Sequence, residues 1–199
     1  MTLPLIAVCG LGRCGSTLVM EMLDEGGIHP YPGGSPRGYE HTQMLGSSGR
    51  QWLRHVTYTG AGHSIKLLGG AVDFTQLRRA PGGWVFIWLS RNHEQQARSQ
   101  AKLLDAFLRP STPTPWEPFA DSFTTEEATA HTALRSVPGS RFYSTSFEHI
   151  LAHPWASAAE LAGWVEPLTL DVAAAAGAVI PRTPECQPTL DFEATGVMS

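Results

Sequence analysis

Along this chain, short uninterrupted apolar runs alternate with stretches in which apolar positions recur every three or four residues. The run Leu5 to Cys9 is followed, beyond a glycine-rich turn, by Leu18, Val19, Met22 and Leu23 at helical spacing. A helical stretch is expected at about 42–56, a short strand at His63 to Leu68, and a short helix at 71–80. Trp84 to Leu89 is the clearest strand, continuously apolar as in a sheet covered on both faces. A long helix over 94–108 follows, and another from Thr124 or Thr125 to Val137. Arg141 to Ser146 reads as a last strand, then helices over 147–165 broken at Pro154, and a final helix over 168–179. Strands alternating with helices predict an α/β fold with a central, mostly parallel sheet flanked by helices. No internal repeat is visible. The pattern fits one domain over 1–180 with a Pro/Thr/Glu-rich tail over 181–199.

The turn between the first strand and first helix reads Gly10-Leu11-Gly12-Arg13-Cys14-Gly15-Ser16-Thr17. Glycines let backbone N–H groups approach a ligand, and the helix end adds partial positive charge, so this order makes an anion cradle. Gly10, Gly15 and Thr17 match the spacing of a nucleoside-triphosphate loop, but Ser16 stands where that loop has its lysine. Arg13 is the cation within the loop. Cys14 either fills space or offers a thiolate stabilised by the cradle.

Further candidates lie in other loops. Gly26 to Tyr39, rich in glycine and proline, cannot be helix or central strand and ends in Glu40-His41. These two are candidate acid–base groups, unless Glu40 only favours the next helix N-terminus. Lys66 sits inside an apolar strand, where lysine is rarely left unpaired; either an anion holds it or it reaches solvent. Arg91 closes the clearest strand, at the end where open α/β sheets bind ligands. Ser99 follows eight residues later, on a helix face that can look back at Arg91, making a second anion site. The proline-rich segment 110–118 reads as a loop or flap.

Composition narrows the class. The 199 residues are 42% hydrophobic, enough for a full core, and the net charge of −4 offers no basic surface for nucleic acid. Of fourteen Lys and Arg only Lys66 and Lys102 are lysines. Cys9, Cys14 and Cys186 show no metal-binding spacing, so reduced thiols in a cytoplasmic protein are expected. No signal peptide and no membrane-spanning run is expected.

With both anion sites in view, the chain resembles the sulfotransferases that use 3′-phosphoadenosine-5′-phosphosulfate (PAPS). That family carries basic–Ser–Gly–(Ser/Thr)–(Ser/Thr) after its first strand, and here the loop reads Arg13-Cys14-Gly15-Ser16-Thr17. It also has a strand ending in Arg with a Ser eight residues on, matched by Arg91 and Ser99. Phe142 to Pro154 and Ser35 to Glu40 are similar to stretches of bacterial members. The resemblance departs at Cys14, where Ser is usual, and at Lys66-Leu67-Leu68, where many members have Lys-x-His. Members with a glutamate base are therefore the better guide.

The resemblance implies a three-layer P-loop fold and in-line transfer of a sulfuryl group from PAPS to a hydroxyl or amine, without a metal. Gly12, Arg13, Cys14, Gly15, Ser16 and Thr17 would hold the 5′-phosphosulfate. Arg91 and Ser99 would hold the 3′-phosphate, with Arg182 closing over it. Glu40 would take the acceptor's proton, with His41 or His63 as alternatives, and Lys66 would approach the sulfuryl group. The partner implied is a small-molecule or carbohydrate acceptor, in a pocket formed by 27–40 and 109–122 with Tyr31, Tyr39, Trp116 and Phe119 as lining or surface packing. The oligomeric state stays open. Two rival readings exist: a P-loop kinase of a nucleoside or small metabolite, which needs magnesium, and a non-catalytic nucleotide-binding module.

Overall fold

The computed structural model describes residues 2–32, 48–69 and 72–185. Four strands, β1 (Leu5–Gly10), β2 (Ser64–Leu68), β3 (Trp84–Ser90) and β4 (Arg141–Ser146), form one sheet in the order β2-β1-β3-β4. Every pairing is parallel; Val8 of β1 lies between Lys66 of β2 and Ile87 of β3. The helices are α1 (Ser16–Glu25), α2 (Ser48–Thr59), α3 (His93–Leu108), α4 (Glu117–Arg135), α5 (Phe147–Ala152), α6 (Pro154–Val165) and α7 (Val172–Gly177).

The two-residue period of a strand sorts these helices into layers. Ile6, Val8, Val85, Ile87 and Leu89 pack with residues of α1, α5, α6 and α7. Leu5, Ala7, Cys9, Trp84, Phe86 and Trp88 pack against α2, α3 and α4 on the other face. This is the three-layer α/β arrangement expected from the sequence. Because β1 connects to β2 on one side while β3 connects to β4 on the other, their C-terminal ends open a crevice between them. Open α/β sheets place ligands at such a switch point.

The structure corrects three elements. The stretch 71–80 is no helix over its described residues; only a 3-10 turn, Phe74–Gln76, forms, with the Asp73 carboxylate accepting from the Thr75 amide at 3.0 Å. That local bond competes with helix propagation. α4 starts at Glu117, not at Thr124 or Thr125, with proline in its first turn. A proline there costs nothing, since its missing N–H is one the helix leaves unbonded anyway. The final helix is also shorter than expected, Val172–Gly177, started by the Asp171 side chain accepting from Ala173 and Ala174 amides. The helix expected at 42–56 is described from Ser48 and continues to Thr59.

Across the α4 interface, Glu127 accepts from Trp88 Nε1 at 2.8 Å and pairs with His93 Nε2 at 3.0 Å. His131 packs edge-on against Trp88 and Phe142. Burial, against the pull of Glu127, holds its imidazole below the ordinary value of 6.5. The unfolded chain therefore takes up a proton that the folded chain resists, so stability present above about pH 6.5 is lost on acidification. Thermal unfolding followed from about pH 7 down to pH 5 should show a falling Tm, with a shallower fall in His131→Gln.

Candidate active site

The anion loop occupies the turn from β1 into α1. Arg13 has φ 68° and Gly15 φ 95°, both in the left-handed region. A Cβ on Gly15 would lie 2.4 Å from Cδ2 of Phe147, the first residue of α5. Gly15 therefore serves both the turn and the packing of α5 on it. Gly15→Ala should cost roughly 2–4 kcal/mol from backbone strain and overpacking together, read as a lowered Tm, and should weaken anion binding. An unchanged Tm would show that the loop can rearrange around a side chain.

Cys14 is completely buried, and its Sγ would lie 2.4 Å from a Cβ on Gly10. Burial pushes its thiol up, outweighing the hydrogen bonds of Ser16 and the charge of Lys66. Of the two readings of Cys14, space-filling is the one its surroundings favour. Cys9 is likewise buried, with its thiol raised well above the ordinary value by desolvation.

Two cations reach the loop from different strands. Lys66, only 3% exposed, donates from Nζ to Thr17 Oγ1 at 2.9 Å. Its strand is adjacent to β1, and its long side chain brings the charge to the first turn of α1. One turn further on, Glu21 has its carboxyl raised by burial, against the opposing pull of Arg182 and Lys66. Arg91 leaves the end of β3 and donates to Arg13 O at 3.3 Å and to Pro184 O at 2.6 Å. Ser99, buried on α3, accepts from Arg13 Nε at 3.0 Å. Arg13, Arg91 and Ser99 are thus brought together, with the Arg13 side chain turned toward Ser99.

Phe147 is the residue that sequence reasoning gave no role. The Arg91 guanidinium lies 4.8 Å from its ring centroid and that of Arg182 5.4 Å, so one aromatic ring gathers two cations. The chain returning after α7 thereby brings Arg182 to the same ring that Arg91 packs on. Glu148, next in sequence, accepts from the Asn92 amide at 2.9 Å and ties α5 to the start of α3. The motif Phe147-Glu148 was visible as a resemblance, but nothing local shows that it faces Arg91.

Other candidates fall elsewhere. Glu40, His41 and Tyr39 lie outside the described residues. His63 precedes β2, at the N-terminal end of the parallel strands, whereas the glycine loop leaves the C-terminal end of β1. Tyr31 is at that end too: its amide donates to Ser64 O at 2.8 Å and its hydroxyl bonds Thr59 Oγ1 at 2.8 Å. It packs on His63 rather than lining a pocket beside the loop. Trp116 and Phe119 pack partly buried against the core at α4, with the Arg98 guanidinium 4.4 Å from the Trp116 ring. Among the described residues no cluster of His, Cys, Asp and Glu has metal-binding geometry, and no helix is long and apolar enough to cross a membrane.

A parallel sheet with an anion loop after β1 and a cationic group after β3 defines a P-loop-type α/β protein. No protein-family model matches the chain, nor does any curated protein. Among solved structures it is similar to mouse sulfotransferase SULT7A1 complexed with PAP, at TM-score 0.57 and 13% identity, over 98% of this chain and 76% of that one. It is also similar to retinol dehydratase in complex with androsterone and inactive cofactor PAP, at TM-score 0.51 and 15% identity, over 88% of this chain and 63% of that one. The chain thus has the fold of these proteins, the one expected from its motifs.

Proposed function

We propose that this chain is a PAPS-dependent sulfotransferase that moves a sulfuryl group to a hydroxyl or amine of a small-molecule or carbohydrate acceptor, without a metal. The observation that carries the reading is the second anion group: Arg91 and Ser99 both meet Arg13 of the loop, at 3.3 Å and 3.0 Å. A donor with phosphate at both ends of its ribose needs two cationic groups joined in this way, whereas ATP needs only the first. Likeness of fold to two PAP-bound structures supports the same reading.

In this reading the loop amides with Ser16 and Thr17 hold the 5′-phosphosulfate, and Lys66 beside Thr17 stabilises charge developing on the bridging oxygen. Arg91, Ser99 and Arg13 hold the 3′-phosphate, with Arg182 closing over it. Glu40 takes the acceptor's proton, with His41 as the alternative. In-line transfer leaves PAP as product, so PAP is the natural probe of the site.

Calorimetric titration with PAP, beside AMP and ATP and with and without magnesium, tests the proposal. Magnesium-independent binding that favours PAP over AMP supports it. Preference for magnesium-ATP would overturn it in favour of a P-loop kinase.

A further inference from the structure

A left-handed arginine in a glycine loop persists only when its surroundings over-determine it, since a non-glycine residue pays about 1–2 kcal/mol there. Around Arg13 that work is done by one helix. Gln96 of α3, only 1% exposed, donates from Nε2 to Gly12 O at 2.7 Å. Just ahead of that helix Arg91 holds Arg13 O, and within it Ser99 holds the Arg13 side chain. Gln100 approaches so closely that a Cβ on Gly12 would lie 3.1 Å from its Oε1.

These contacts fix two successive peptide planes. In a trans peptide the C=O of one residue and the N–H of the next point to opposite sides. Holding Gly12 O toward Gln96 therefore turns the Arg13 N–H away from α3. Holding Arg13 O toward Arg91 sets the next N–H, that of Cys14, which donates back to Leu11 O at 3.3 Å and closes the turn. Arg91 and Ser99 have a stated role in binding. Gln96 lies between them in sequence and has none, yet a buried carboxamide is costly unless its bonds are used.

The geometry points to Gln96 as a positioning residue that aims the anion loop by fixing the Gly12–Arg13 peptide. For binding of PAP the inference rests on the reading given under Proposed function; for the shape of the loop it does not. Gln96 touches no reacting atom and acts only through the loop backbone.

Two variants test this, with PAP as the probe. In Gln96→Leu the Gly12 carbonyl loses its donor, and PAP affinity should fall about tenfold or more. In Gln96→Glu the ionised carboxylate faces the carbonyl oxygen and repels it, whereas the protonated acid can donate to it. Its PAP affinity, taken relative to the unmodified protein at each pH, should be about tenfold weaker near pH 8 and recover near pH 5.5. A loss that is pH-independent in Gln96→Glu, or affinities within about twofold of the unmodified protein alongside an equally lowered Tm, would assign Gln96 a packing role only and overturn the inference. If Gln96→Leu does not fold, the pH profile of Gln96→Glu decides alone. If the unmodified protein binds no PAP, the functional reading fails separately. The inference is then decided by hydrogen exchange of the amides of 12–17: faster in the Gln96 variants supports it, unchanged overturns it.

Discussion

Arg91→Ala should weaken PAP binding about a hundredfold or more while leaving AMP binding much less affected. Each charge-assisted hydrogen bond to a phosphate contributes roughly 1.5–3 kcal/mol, and a guanidinium offers two in parallel, which together reach that factor. AMP is the necessary control, because Arg91 also holds the loop carbonyl of Arg13 at 3.3 Å. Damage to the loop lowers affinity for both nucleotides, whereas loss of the 3′-phosphate contact lowers only that for PAP. The ratio of the two affinities therefore isolates the second anion site. Arg91→Lys keeps the charge and loses the fork, so it should fall between. Any phosphate entering here also competes with Pro184 O, which takes a 2.6 Å bond from the same guanidinium. A PAP/AMP preference that survives Arg91→Ala would remove Arg91 from the 3′-phosphate site, and the donor assignment with it.

Glu40→Gln should lower the rate of sulfuryl transfer from PAPS by about 10²–10⁴, the usual contribution of a positioned general base, with PAP affinity unchanged. The amide keeps the size of the side chain and removes only its ability to accept a proton. Labelled transfer from PAPS into a panel of hydroxyl and amine acceptors measures the effect, and calorimetry checks the binding. A wild-type rate in Glu40→Gln together with a collapse in His41→Gln would pass the role of base to the histidine. Loss of PAP affinity along with rate would instead make Glu40 part of the nucleotide site.

The strands, the glycine loop and the Arg91 to Ser99 spacing were all legible in the chain, because each depends on neighbours a few residues apart. Apolar runs mark strands buried on both faces, and glycines mark a turn that no side chain can enter. A helix that starts just after Arg91 carries Ser99 round to the same side. Where local signals misled, a single local interaction was responsible: Asp73 stops a helix after one turn, and the prolines before Phe119 hid a helix start that tolerates one of them.

By itself, then, the sequence determined the α/β alternation, the place of the glycine turn between β1 and α1, and the spacing of Arg91 and Ser99. Only the tertiary structure decided which distant groups serve that loop. Lys66 reaches Thr17 because β2 is adjacent to β1. Gln96 meets Gly12 because α3 leaves β3 beside the same crevice, and Phe147 meets Arg91 and Gly15 because β4 ends next to β3. Tyr31 and His63, plausible beside the site in sequence, lie by the start of β2, because the strands run parallel and the loop leaves their other, C-terminal end. Strand order sets these distances, and it arises from long-range packing of apolar faces, which no local pattern along the chain encodes.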